Sequence, residues 1–220
     1  MIKAIVFDFD GLILDTETPE YASFREIFLK HGVELDLNVW GQWVGTDASH
    51  FNPYDHLDQC VGRTLNREEI RSIRRATYDA LLAKEKIRPG VTDYLIHARQ
   101  LGIKIGLASS SSREWVTGYL AKLGIADYFD CIRVREDVKR VKPDPALYIE
   151  ALKCLGVSPS EAIALEDSPN GALAAQRAGM KIVIVPNDLT KNLLFGEFDL
   201  RLESLAELDI RSLIRKLAVS

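Results

Sequence analysis

The sequence predicts an α/β fold: a doubly wound parallel sheet carrying a helical-bundle cap inserted after its first strand. Three observations predict it. Short apolar runs rich in β-formers recur along the chain with helical patterns between them. The runs are continuous rather than alternating, as in strands covered on both faces. One long stretch near the N-terminus breaks the rhythm, because no convincing strand lies between Asp15 and about Arg88.

The strands are expected at "KAIVFD" (3–8), "IKIGLAS" (103–109), "CIRV" (131–134), "AIALED" (162–167) and "KIVIV" (181–185). The helices between them are punctuated by capping residues. "SSRE" at 111–114 is a capping-box pattern before a helix that stops at "LG" (123–124). "DP" at 144–145 and "SP" at 168–169 each put an N-cap before a proline at the first helical position. In the long insert, Thr18-Pro19 can start a helix that buries Phe24, Ile27, Phe28 and His31 on one face and stops at Gly32. Asn66 with Glu69 caps another, with Ile70, Ile73, Thr77 and Leu81 along one stripe. "RPG" at 88–90 returns the chain to the sheet. The division expected is a core of residues 1–14 and 89–220 around a cap of residues 15–88, far longer than an ordinary α/β connection.

Composition narrows the class. With 220 residues, 47% of them hydrophobic, the chain can bury a full core. A net charge of -4 gives no basic footprint for nucleic acid. No basic-then-apolar leader opens the chain, and the apolar runs are too short to span a bilayer. Cys60, Cys131 and Cys154 show no C-x-x-C spacing and read as three reduced, buried thiols. The expectation is a cytoplasmic monomer that binds neither nucleic acid nor membrane.

In an open α/β sheet, ligands bind beyond the carboxyl ends of the strands. The first strand ends in Asp8 and Asp10, the second in Ser109 to Ser112, and the fourth in Glu166 and Asp167, while Lys142 lies on a loop entering a capped helix. In extended geometry residues 8 and 10 point the same way, with Phe9 turned into the packing. Clustered carboxylates repel unless a cation intervenes, and an all-oxygen set such as Asp8, Asp10 and Asp167 suits Mg²⁺. With Lys142 and the metal neutralising a phosphate, Asp8 could attack phosphorus, and Asp10 could serve as general acid and then base. Ser109 and the backbone N–H groups near Ser111 would hold phosphoryl oxygens, while Ser112 reads as a helix cap. Glu166 would either touch the metal or orient a neighbour. Trp40 and Trp43 read as packing, and the run Arg63, Arg67, Arg71, Arg74 and Arg75 as a solvated helix face.

The motifs "DFDGL", "ASS", "VKPDP" and "EDSPNG", in that order, resemble those of the haloacid dehalogenase superfamily, and the insert resembles the C1 cap of its phosphatase and β-phosphoglucomutase branch. That resemblance covers nearly the whole chain and implies a Rossmann-like core. It implies Asp8 as nucleophile and Asp10 as acid/base with its carbonyl on the metal. It further implies Ser109 on phosphate, Lys142 as charge balance, and Glu166 and Asp167 at a Mg²⁺ site. The second aspartate speaks against dehalogenation.

Glu20 stands where mutases of this branch carry histidine, and "VGTDA" places Val44 and Ala48 where they carry lysine and arginine. Val141 replaces a glycine frequent before K-P. The reading is therefore a phosphatase acting on a small phosphorylated metabolite such as a sugar phosphate. The alternatives are a phosphomutase and a non-catalytic phosphate-binding module. Gly11, Thr16, Glu20, Gly45, Ser110 and Ser111 are the candidate substrate-binding residues. Hinges are expected at Leu14–Thr18 and Arg88–Val91, with specificity at Gly45–Asp47.

Overall fold

A computed structural model describes residues 1–40 and 52–219. The strands are β1 (Ala4–Phe7), β2 (Lys104–Ala108), β3 (Cys131–Arg133), β4 (Ala162–Glu166), β5 (Lys181–Ile184) and β6 (Leu200–Arg201). All pairings are parallel, in the order β3-β2-β1-β4-β5-β6. The helices are α1 (Glu17–Lys30), α2 (Leu37–Trp40), α3 (Pro53–Val61), α4 (Arg67–Leu82), α5 (Val91–Gln100), α6 (Arg113–Lys122), α7 (Ala146–Leu155), α8 (Pro169–Arg177) and α9 (Ile210–Val219). None of the described helices is long and apolar enough to cross a membrane.

The continuous apolar runs divide between the two faces of the sheet with period two, as pleating requires. Ile5 and Phe7 of β1, Ile105 and Leu107 of β2 and Ile163 and Leu165 of β4 enter one cluster, which α5, α6 and α9 cover. Ala4 and Val6, with Ala162 and Ala164, enter the other, under α7 and α8. Both faces are thus dry, and the sheet opens to polar chemistry at its strand ends.

The five expected strands are present, and β6 is an addition. Its two residues extend the sheet beyond β5 and have no periodicity that would announce them. Between β1 and β2 the described residues hold helices and no strand. Phe24, Ile27, Phe28, Leu35, Trp40, Leu57 and Ile70 form a separate cluster there. Helix α4 divides its loyalty: Ile70 joins that cluster, while Tyr78 and Leu82 join the cluster on the sheet. This corrects the expected stripe. Ile73 is 39% exposed, because α4 buries positions 70, 78 and 82, eight and four residues apart, instead of 70, 73, 77 and 81.

The cysteines also differ from expectation. Cys131 of β3 and Cys154 of α7 form a disulfide, and Cys60 is free and exposed. The two bonded residues are 23 apart in sequence, so packing α7 on β3 brings them together where spacing gives no sign of it.

Candidate active site

In this strand order the chain leaves β1 towards β2 on one side and later returns to β4 on the other. The switch point therefore lies between β1 and β4. Phe7 is level with Leu107 and Leu165, so the residues that follow in β1 and β4, Asp8 and Glu166, emerge side by side. The Asp8 N–H donates to the Leu165 carbonyl at 3.0 Å and extends the ladder by one step.

Lys142 reaches this point from the loop before α7. Its ammonium donates to Asp8 Oδ1 and to Glu166 Oε1, the latter at 2.6 Å. The Tyr148 hydroxyl donates to the same Glu166 oxygen at 2.5 Å. Glu166 Oε2 accepts from the Ser168 hydroxyl at 3.2 Å. Glu166 is wholly buried, and it fits only because residue 171 is glycine: a Cβ there would stand 2.0 Å from the carboxylate. Ser168 meanwhile caps α8 as expected, accepting from the Gly171 N–H at 3.1 Å.

Asp167 sits beside them, 1% exposed. Asn187, in the loop after β5, donates from Nδ2 to Asp167 Oδ2 at 2.9 Å and to Glu17 Oε2 at 2.8 Å. Its own Oδ1 accepts from the N–H groups of Leu189 and Thr190, which fixes the amide. Gly11 has φ +81°, and a Cβ there would fall 2.0 Å from Asp167 Oδ2, so the tight turn after Asp10 needs glycine on both counts. Arg88 donates to the Gly11 carbonyl, and to that of Pro186 at 3.0 Å, lacing the loops after β1 and β5 together.

Asp10 faces another way. Its Oδ2 accepts from the Ser111 hydroxyl at 2.6 Å and lies 3.4 Å from the Ser109 hydroxyl, and its Oδ1 accepts from the Trp115 indole N–H at 2.9 Å. Ser109 Oγ accepts from the Ser111 N–H at 3.0 Å. The expected capping box from Ser111 to Glu114 does not form, because Ser111 is committed to Asp10. Ser112 caps α6 as expected, accepting from the Trp115 N–H.

The electrostatics follow from burial. Burial pushes the Asp8 carboxyl up to about 8, against the pull of Lys142 and helped by Glu166 and Asp10. Burial likewise drives Asp167 well above the carboxylate range, with Glu17, Asp8 and Glu166 adding to it. Glu17 is pushed up to about 8 by burial, with the charges of Asp15, Asp10 and Asp8 adding and the Asn187 hydrogen bond opposing. Asp8 and Glu166 overcome the burial of Lys142 and hold it protonated, above its ordinary value.

Of the four metal candidates, Asp8, Glu166 and Asp167 come together, each offering an oxygen within 4.8 Å of the others. Three carboxylates packed this closely around one lysine repel one another when ionised, and an all-oxygen donor set fits a hard divalent cation that would take the place of their protons. The carboxylate of Asp10 is not part of that group.

The substrate-binding candidates are dispersed. Gly11 and Ser111 line the site, and Ser110 is half-buried beside them. Thr16 is buried at the entry to α1. Glu20 lies on α1 with its carboxylate 3.8 Å from Arg74. Gly45, with Val44, Ala48, Trp43 and the loop Gly45–Asp47, lies outside the described residues. Arg74 departs from the expected solvated face: its side chain is 14% exposed, its guanidinium lies 4.7 Å from the Phe24 ring centroid, and it donates to the Tyr54 hydroxyl at 3.0 Å.

Residue-level reading passed over Glu17, Arg88, Trp115, Tyr148 and Asn187. Glu17 lies in the same "DTE" as the candidate Thr16, and Arg88 lies in the "RPG" read as a turn and hinge with no role at the site. Asn187 follows β5 by three residues, the same offset at which Asp10 follows β1 and Ser111 follows β2.

The whole chain is similar to known proteins. The family model described as "Haloacid dehalogenase-like hydrolase" matches residues 5–185. "Putative phosphatase YhcW" of Bacillus subtilis (strain 168) is 53% identical over 214 residues, covering 97% of each chain. A CbbY variant from Rhodobacter sphaeroides, solved in complex with xylulose-(1,5)bisphosphate, superposes with a TM-score of 0.72 at 28% identity, covering 97% of this chain and 99% of that one. A β-phosphoglucomutase from Clostridium difficile gives a TM-score of 0.73 at 27% identity, covering 100% of this chain and 98% of that one.

Proposed function

The chain belongs to the haloacid dehalogenase-like hydrolase family, and from that premise we propose a Mg²⁺-dependent phosphatase that acts on a small phosphorylated sugar through an aspartyl-phosphate on Asp8. It is an enzyme of phosphoester chemistry, and hydrolysis is the reaction its relatives' names support. The observation that carries the residue roles is the meeting of Asp8, Lys142, Glu166 and Asp167 at the switch point, with Asp10 held a step away.

Asp8, Glu166 and Asp167 would hold the metal, which when bound supplies positive charge against the incoming phosphate. Lys142 keeps Asp8 oriented and adds a second positive charge. An Asp8 oxygen attacks phosphorus as the bond to the leaving oxygen breaks. That oxygen takes a proton from the Asp10 carboxyl and departs as the alcohol. Water then attacks the phosphoryl group and gives its proton to the Asp10 carboxylate. The bond from phosphorus to Asp8 breaks, Asp8 is restored, and phosphate leaves. Ser109, Ser110 and Ser111, in the turn that leads from β2 into α6, receive the phosphoryl oxygens.

The sugar is suggested by the xylulose bisphosphate held by the CbbY variant. The insert of residues 15–88 acts as the cap, hinged near Leu14–Thr18 and Arg88–Val91. The β-phosphoglucomutase likeness supports mutase chemistry as a second reading. Glu20, paired with Arg74 where a mutase carries histidine, favours hydrolysis.

Asp8→Asn should abolish phosphate release from a panel of sugar phosphates while the far-ultraviolet spectrum and melting profile stay those of the wild type. Retained turnover would overturn the assignment. Incubation with β-glucose 1-phosphate and a bisphosphate activator should yield phosphate, and glucose 6-phosphate as main product would establish the mutase instead.

A further inference from the structure

Asp10 is gripped at both oxygens: Ser111 holds Oδ2 at 2.6 Å, and the Trp115 indole N–H holds Oδ1 at 2.9 Å. A carboxylate bonded at one oxygen can still swing about its Cβ–Cγ bond, whereas one bonded at both cannot. Trp115 is only partly buried, so water could have met its N–H. The indole is turned to Asp10 instead.

The ring itself is held from two sides. Tyr119, one turn along α6, lies with ring centroids 4.6 Å apart, and Tyr78 of α4 stacks on the indole at 6.3 Å and 22°. Tyr78 comes from the insert and is 7% exposed. An unbroken line of contacts thus runs from α4 through Tyr78 and Trp115 to Asp10.

We propose that Trp115 is the positioning residue for the acid/base Asp10, aiming its carboxyl at the leaving oxygen, and that helix α4 secures that aim through the Tyr78 stack. This rests on the phosphatase reading above. It has a consequence that packing alone does not have. Proton donation matters most when the leaving alcohol is a poor one, so loss of aim should steepen the dependence of rate on leaving group.

The test compares kcat/KM for 4-nitrophenyl phosphate, phenyl phosphate and an alkyl phosphate. Trp115→Phe keeps a six-membered ring for Tyr78 and Tyr119 and removes the N–H together with the five-membered half of the indole. It should lose at least about tenfold more rate on the alkyl phosphate than on the nitrophenyl ester, with most of the loss in kcat. Tyr78→Leu should tilt the series in the same direction by a smaller factor, and Asp10→Asn in the same direction by a larger one. Melting temperature, read in parallel, separates misfolding from misaiming, and Tyr78→Leu carries the test if Trp115→Phe fails to fold. An equal loss on all three esters in both variants, or no loss, would overturn the proposal and leave phosphatase activity standing. A wild-type enzyme that releases phosphate from none of the esters would overturn both readings together.

Discussion

Lys142 supplies the positive charge that Asp8 and Glu166 share, at 6% side-chain exposure. Replacing it with methionine keeps the volume and strands two buried carboxylates. Lys142→Met should therefore cost about 3–5 kcal/mol of stability in urea unfolding near pH 8, less near pH 6 where burial lets Asp8 hold its proton, and should remove phosphate release. Gly171→Ala acts on the same group by crowding, since its Cβ would meet the Glu166 carboxylate at 2.0 Å. A loss of about 1–3 kcal/mol, with weakened activity, is expected from the same measurement. Asp8, Glu166 and Asp167 were legible in the sequence because strand ends advertise them, and Lys142 because it stands in "VKPDP" before a capped helix. Arg88 and Asn187 were not, since "RPG" reads as a turn, Asn187 has no motif, and the contacts that draw them to the site reach 98 and 170 residues along the chain.

At the scale of elements, the strands were legible because burial on both faces forces continuous apolar runs. Helix α4 was legible as a helix but not in its packing, because Tyr78 is drawn to Trp115, a residue on a distant helix. The disulfide was illegible for the same reason. It ties β3 to α7 and so closes the segment that carries Lys142. Cross-linking a loop of 23 residues restricts the unfolded chain, so Cys154→Ser should lower the stability of the oxidised protein by about 3 kcal/mol in denaturant unfolding. Exchange of residues 44–48 for the lysine- and arginine-bearing loop of a mutase should change preference among sugar phosphates while leaving the Mg²⁺ requirement intact, measured by phosphate release across the panel.

Over the whole molecule, the concentration of carboxyls at the switch point links stability to pH and metal. Asp8 and Glu17 are raised to about 8 from ordinary values of 3.8 and 4.5. A carboxyl raised on folding holds its proton better in the folded chain, so its contribution is complete below the ordinary value and is lost as pH rises towards 8. The metal-free protein should therefore melt at a higher temperature at pH 5.5 than at pH 8. Mg²⁺ competes with those protons and should raise the melting temperature more at pH 8 than at pH 5.5. The central claim is that Asp8 carries the phosphoryl group. Its most direct test is to quench the enzyme in acid during turnover of a radiolabelled sugar phosphate and to map the label by peptide mass spectrometry. The expected result is label on the peptide containing Asp8, absent from the Asp8→Asn variant. Label on another residue, or turnover by that variant, would contradict it.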